Sequence, residues 1–306
     1  MPPVRDLVGF VERPPVFDWP GGARVAVNFV LNVEEGAEYS TLDGDGRTDS
    51  ALSEVAAARV PLGDRDLGYE GMVEYGARVG VWRILRLFRD RCLPMTVFAA
   101  AQALERHPPL AAAIAASDWD VVCHGWRWAE HYLMDEATER DHIARAFDSI
   151  AALTGRAPLG WYCRYAPSVN TRRLLVEHGG FTYDSDSYAD EIPFWVDVAG
   201  HDHLVVPYSL VTNDTKFIGG PLVTGRDWGA FLIDTADGLV AEAQLHPRMM
   251  SIGMHPRILG HPGRLKGLID FMDHIAADSR ICVCTRAQIA AHFRAHVPAR
   301  SSRVQP

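Results

Sequence analysis

The feature that most constrains this chain is a recurring pair: a short, nearly unbroken apolar run that ends in a polar residue, then a segment with helical periodicity. The first run, Arg24-Val-Ala-Val-Asn-Phe-Val-Leu31, is apolar and β-branched almost throughout. Such a run predicts a strand buried on both faces, as in a parallel sheet covered by helices. Similar runs occupy residues 95–99, 120–123, 159–163, 181–186, 203–208, 249–254 and 280–284. Between them, residues 80–90 put Val81, Ile84, Leu85 and Phe88 on one helical face. Residues 136–154 carry the stripe Ile143, Phe147 and Ile150, with Asp135 as cap and Gly155 and Pro158 as terminators. Prolines open a short helix at residue 108, Ser168 or Asn170 caps a further helix through Leu174, Leu175 and Val176 that stops at Gly179, and others are expected near residues 228–245, 265–277 and 288–294.

Alternation of this kind predicts one α/β domain, a distorted (β/α) barrel of about seven strands, over residues 23–296. Residues 1–22 carry five prolines and predict an extended arm over the body, a poor core element. Residues 297–306 predict a tail. The Gly-, Asp- and Ser-rich stretch 36–70 is too long for a plain connection, which suggests a lid or an assembly loop. There is no internal repeat.

Composition narrows the function classes. A net charge of -9 without a basic run argues against a nucleic-acid surface, because phosphate binding needs clustered Lys and Arg. No 18-residue apolar window suits a membrane span, and the N-terminus lacks the apolar run of a secretion signal. Five cysteines, mostly inside apolar runs, read as free buried thiols. A soluble, cytoplasmic protein is therefore expected.

Glu34, His124, Arg164, Asp184 and His255 each follow a separate apolar run, so a barrel would gather them at one mouth. Glu34 and Glu35 are adjacent carboxylates at a strand end and repel one another unless a metal, a cation or a shared proton compensates. A solvated acidic loop suits Glu35 better than Glu34. Arg164 could instead pair structurally with Asp184, and His255-Pro256 could simply turn the chain.

The stretches Asn28-Phe-Val-Leu-Asn-Val-Glu-Glu-Gly36, His124-Gly-Trp-Arg-Trp128, Gly160-Trp-Tyr, Pro167-Ser-Val-Asn-Thr171, Tyr183-Asp-Ser-Asp186, Val205-Val-Pro-Tyr-Ser-Leu210 with Asn213-Asp214, and residues 251–264 stand out. Together they resemble the polysaccharide deacetylase (NodB-homology) superfamily, and most of all its allantoinase and cyclic-imide hydrolase branch. The resemblance implies that Glu34 matches the general base and Glu35 a metal ligand. A second registration sets Asn32 and Glu34 at the two acids, so Glu34 has a role in both. The family spaces its metal histidines as His-x-x-x-His, but Trp128 stands where the second belongs. His131 could substitute for it, though a solvated histidine is the better reading. If a metal such as zinc were bound, Glu35, His124 and His131 would hold it; the altered motif favours no required cofactor.

By the same resemblance Arg164 orients the base and His255 protonates the leaving nitrogen, while backbone N–H groups bind the oxyanion. Glu35, Trp126, Trp128, Trp161 and Asp184 are the expected substrate contacts, with Trp195 at the pocket wall. The implied activity is hydrolysis of a non-peptide carbon–nitrogen bond in a small cyclic amide, ureide or imide, by a homo-oligomer. The alternatives are a polysaccharide N-deacetylase and an inactive homologue that binds a metabolite.

Overall fold

The computed structural model describes residues 5–55, 60–220, 222 and 224–299. Nine strands form one sheet: β1 (Val25–Val33), β2 (Thr96–Ala99), β3 (Asp120–Cys123), β4 (Gly160–Trp161), β5 (Tyr183–Asp184), β6 (Phe194–Val198), β7 (His201–Val205), β8 (Arg248–Met254) and β9 (Ile281–Val283). Their order is β6-β7-β5-β4-β3-β2-β1-β8, and β9 pairs with the first half of β1. All pairings are parallel except β6 with β7. The sheet curls into a half-barrel, and the carbonyl of Glu191, ahead of β6, accepts from the Met249 amide of β8 at 2.8 Å. The extra strand relative to the predicted runs is β6, whose half-exposed residues leave no apolar run to read.

Helices cover the outer face: α1 (Leu67–Tyr75), α2 (Val81–Asp90), α3 (Ala101–Arg106), α4 (Pro108–Ala115), α5 (Glu136–Thr154), α6 (Thr171–His178), α7 (Lys216–Gly219), α8 (Gly225–Glu242), α9 (Pro256–Leu259), α10 (Pro262–Ala276) and α11 (Arg286–His296). Local chemistry fixes several ends. Asp135 accepts from the Thr138 amide to start α5, and Gly155 closes it in the left-handed region at φ 71°. Thr224 with Asp227 and Thr285 with Gln288 form capping boxes on α8 and α11.

Alternation along β1 separates two cores. Val25, Val27, Phe29, Leu31 and Val33 face the helices and join the outer core with Ile84, Phe88 and Phe271. Ala26 and Val30 face inward with Phe98, Tyr162, Tyr183 and Tyr208. Asn28, Asn32 and Glu34 continue that inward row, which carries polar groups through the barrel to its mouth.

Both flanks contribute packed residues. Phe17 and Trp19 of the proline-rich arm are buried and pack edge-to-face on one another beside Phe293, so the arm seals the inner core. At the other end Val297 is buried and its carbonyl accepts from Trp195 Nε1 at 2.8 Å; residues 300–306 lie outside the described residues. The stretch 36–70 contains the start of α1, which runs through a π-helical turn, Gly76–Gly80, into α2. Asp43 and Asp45 tie this stretch to Arg106 and Arg127 through paired contacts of 2.5 to 2.9 Å.

Candidate active site

Parallel register brings the strand-end residues level. Val33, Ala99 and Cys123 pair across β1, β2 and β3, so Glu34 and His124 emerge together, and Leu31 pairs with Met254, so His255 follows beside them. His124 Nδ1 donates to the Tyr162 carbonyl at 2.7 Å, which fixes the ring and aims Nε2 at Glu34 Oε1, 3.2 Å away. His255 Nε2 stands 3.5 Å from the same oxygen, and its Nδ1 donates to Asp214 Oδ1 at 2.6 Å. Asp214 Oδ2 also accepts the His255 amide at 2.6 Å, so one carboxylate holds both the ring and the backbone.

The other Glu34 oxygen belongs to Arg257. Its Nη2 donates to Glu34 Oε2 at 2.7 Å, and its Nη1 to Glu35 Oε1 at 3.1 Å. The Arg257 amide adds a 3.3 Å contact to Glu35. Glu35 is therefore buried against a cation rather than solvated, contrary to the reading of an acidic loop. α9 comes this close because the π-helical turn beside it is glycine at both ends. A Cβ on Gly76 would lie 2.7 Å from Glu35 Oε1 and 2.8 Å from the Arg257 amide, and one on Gly80 would lie 2.1 Å from the Pro256 carbonyl. Single π turns inside helices often mark functional sites.

These contacts push the titrating groups apart. Burial opposes ionisation of Glu34, but Arg257, His255 and the hydrogen bonds from both histidines hold its carboxyl well below the ordinary 4.5. Burial raises Glu35, and repulsion from Glu34 adds to the rise against the pull of Arg257. Burial would push His255 down, yet the Asp214 and Glu34 carboxylates raise it from 6.5 to about 9. At neutral pH the site thus sets an ionised carboxylate beside an imidazolium, a pairing suited to base and acid roles.

Around this centre, Trp128 is buried between two guanidinium groups, Arg164 at 3.7 Å and Arg257 at 5.0 Å from the ring. Arg164 pairs with Asp49 at 2.5 and 3.1 Å and donates to the Trp128 carbonyl at 2.9 Å; its partner is not Asp184. The next residue, Tyr165, is held at φ 55° at the rim, a strained conformation for an aromatic residue.

The remaining expected site residues lie elsewhere. Asp184 is bound by Arg172 at 2.6 and 2.9 Å and by His203 at 3.0 Å, a separate buried cluster. Trp126 faces α5, where Arg145 covers it at 3.5 Å and His142 meets its edge. Trp161 is fully buried in the outer core against His131 and Phe181. His131 is neither solvated nor turned to Glu35: it is buried, with Nδ1 3.1 Å from Glu139. Trp195 packs beside Arg294 at the β6 edge.

The donors that the family's metal would need are engaged elsewhere in this chain. Among the described residues no three His, Cys, Asp or Glu side chains are grouped to hold a metal ion. Glu34 and Glu35 are committed to Arg257, and His131 to Glu139, so the donor set Glu35, His124 and His131 does not assemble. Sequence reasoning assigned no role to Arg257, Asp214 or Asp49. A charged residue two positions after His255, inside the otherwise apolar Pro-Arg-Ile-Leu turn, was the available signal for Arg257.

Comparison with known proteins agrees with the fold. The family model for polysaccharide deacetylases matches residues 71–183. A Schizosaccharomyces pombe protein named after the polysaccharide deacetylases is 36% identical over 314 residues, 96% of this chain and 98% of its own length. The chain therefore belongs to the polysaccharide deacetylase superfamily, a family of carbon–nitrogen bond hydrolases. Within it, the crystal structure of PuuE allantoinase is 43% identical, covers 96% of this chain and 98% of its own, and superposes with a TM-score of 0.92. A Pseudomonas aeruginosa PAO1 structure, also named after the deacetylases, is 42% identical over 96% of this chain and 99% of its own, with a TM-score of 0.92. Among the described residues no helix is long and apolar enough to cross a membrane.

Proposed function

We propose that this protein opens a small cyclic amide, ureide or imide by hydrolysis, in the manner of an allantoinase. The observation that carries the reading is Glu34 Oε1 shared between His124 Nε2 at 3.2 Å and His255 Nε2 at 3.5 Å. The 43% identity to PuuE allantoinase across 96% of the chain supports the choice of a ring as substrate. Glu34, ionised at neutral pH, accepts the proton of a water molecule as that water attacks a ring carbonyl. His255, raised to about 9, carries the proton that the departing nitrogen needs. Asp214 keeps the ring oriented and charged. Backbone N–H groups at the mouth take the oxyanion, and each such donor is worth about 10² to 10³ in rate.

Every charged group described at the centre already has a charged neighbour: Arg257 with Glu34 and Glu35, His255 with Asp214, Arg164 with Asp49. A substrate of no net charge fits a mouth so compensated. We assign no required metal, on the commitment of its expected donors to other side chains. A panel of hydantoin-type rings, allantoin and cyclic imides, set beside acetylated amino sugars, tests the reading. Ring opening followed by the loss of the carbonyl absorbance supports it; release of acetate with no ring opened would assign the protein to sugar deacetylation instead.

A further inference from the structure

Two adjacent carboxylates buried at one strand end demand a positive charge between them, and in this chain the donors that would fix a metal there are missing or occupied. We propose that Arg257 is a built-in cation: its guanidinium fills the place between Glu34, Glu35 and the Trp128 ring, holds Glu34 in position as an anion, and keeps a divalent metal out. The role of Glu34 as base rests on the reading above; the exclusion of metal stands on the geometry alone.

Three observations converge on Arg257. The guanidinium takes one oxygen from each carboxylate, Nη2 with Glu34 at 2.7 Å and Nη1 with Glu35 at 3.1 Å, so an ion bridging the pair would have to displace it. Trp128, which stands four residues after His124, has no lone pair to give a metal, but its ring face suits a delocalised cation and lies 5.0 Å from the Arg257 Cζ. Displacement is also obstructed sterically. Arg257 is only 4% exposed, its neighbours Ile258 and Leu259 are buried, and the glycines of the π-helical turn press directly on the α9 backbone. A divalent ion would add two charges beside the Arg257 guanidinium, a like-charge cluster that burial makes worse.

The group acts through Glu34, so Arg257 is a positioning residue. Its removal should open a site made of Glu34, Glu35 and His124. Wild type, Arg257→Met and the double variant Arg257→Met with Glu34→Gln are titrated with cobalt(II), read by its visible absorption, and with zinc, read as metal retained after gel filtration. We expect no saturable site in wild type and one per chain in folded Arg257→Met, abolished by Glu34→Gln. In the same variant the acid limb of kcat/KM moves to higher pH, because Glu34 has lost its largest stabilising charge. One tightly held cobalt or zinc in wild type that Glu34→Gln removes would overturn the proposal, and so would a folded Arg257→Met that gains no site. If Arg257→Met does not fold, the wild-type titration and Arg257→Lys decide, since a lysine should keep the metal out. The metal readouts need no substrate, so they stand even if no ring is turned over.

Discussion

Two buried arginines divide this molecule into a part built to stay and a part built to react. Arg286, fully buried inside the barrel, spends all five of its N–H groups on neutral acceptors: Ser185, Asn28, Ser251 and the carbonyls of Val206 and Pro207, at 2.5 to 3.1 Å. Phe98 and Tyr208 lie against its guanidinium at 5.6 and 5.5 Å. Arg257 meets two carboxylates instead, and its buried Nε has no partner among the described residues. The six residue-to-residue steps along β1 and its exit from Asn28 to Glu34 separate the two levels by about 20 Å of strand. A charge whose every donor is matched by a neutral acceptor gives rigidity and no chemistry. Opposed charges with spare donors are poised to bind and move protons, and they compromise stability to do so.

The comparison can be broken first at Arg286. Arg286→Met would strand five buried acceptors at about 1 to 3 kcal/mol each before relaxation, so a net loss of at least about 3 kcal/mol is expected in the denaturant midpoint. The pH profile of whatever protein folds should be unchanged. A variant as stable as wild type would remove the distinction. At the other level, Glu34→Gln keeps the shape and loses the base. Turnover should fall at least about a hundredfold, or about 2.7 kcal/mol in the barrier, with the fold retained. Near wild-type turnover would move the base elsewhere.

Asp214→Asn sharpens the contrast by a smaller step. The folded His255 value lies above the ordinary 6.5, so its contribution to stability is complete below about 6.5 and fades as pH rises through about 9. Without Asp214 that decline in the urea midpoint should shift to lower pH, and the alkaline limb of kcat/KM should shift with it. A profile identical to wild type would show that Asp214 does not set the charge on His255. Glu34 works on the acid side. Held well below 4.5, it contributes stability above that value and loses it as pH falls through its folded value. The smallest effect is expected from chelation: activity measured after dialysis against EDTA should equal that of untreated protein. A loss that added zinc reverses would contradict the committed donor set.

Much of the fold was legible because burial on both faces of a parallel strand forces a local pattern, an apolar run that neighbouring helices repeat in their own period. Eight of the nine strands, all but β6, coincide or overlap with a run read from the sequence, announced by an apolar stretch or a polar exit. β6 escaped because it is an antiparallel edge with mostly half-buried residues. Placement of Glu34, His124 and His255 at one mouth follows from the same pattern, since residues that leave parallel strands leave on one side. Their partners do not follow. Arg164 took Asp49, 115 positions away, while Asp184 took Arg172 and His203, and nothing local distinguishes these choices.

What the sequence by itself determined is therefore the strand-and-helix alternation, the level of the polar exits and the absence of the second histidine at Trp128. What only the tertiary structure decided is the charge state and company of each group. Glu34 meets Arg257 across 223 positions, and His255 meets Asp214 across 41. Hydrophobic periodicity is a property of neighbours along the chain, whereas the pairing of buried charges depends on which loops the closed sheet brings together, and that closure is set by the whole core at once.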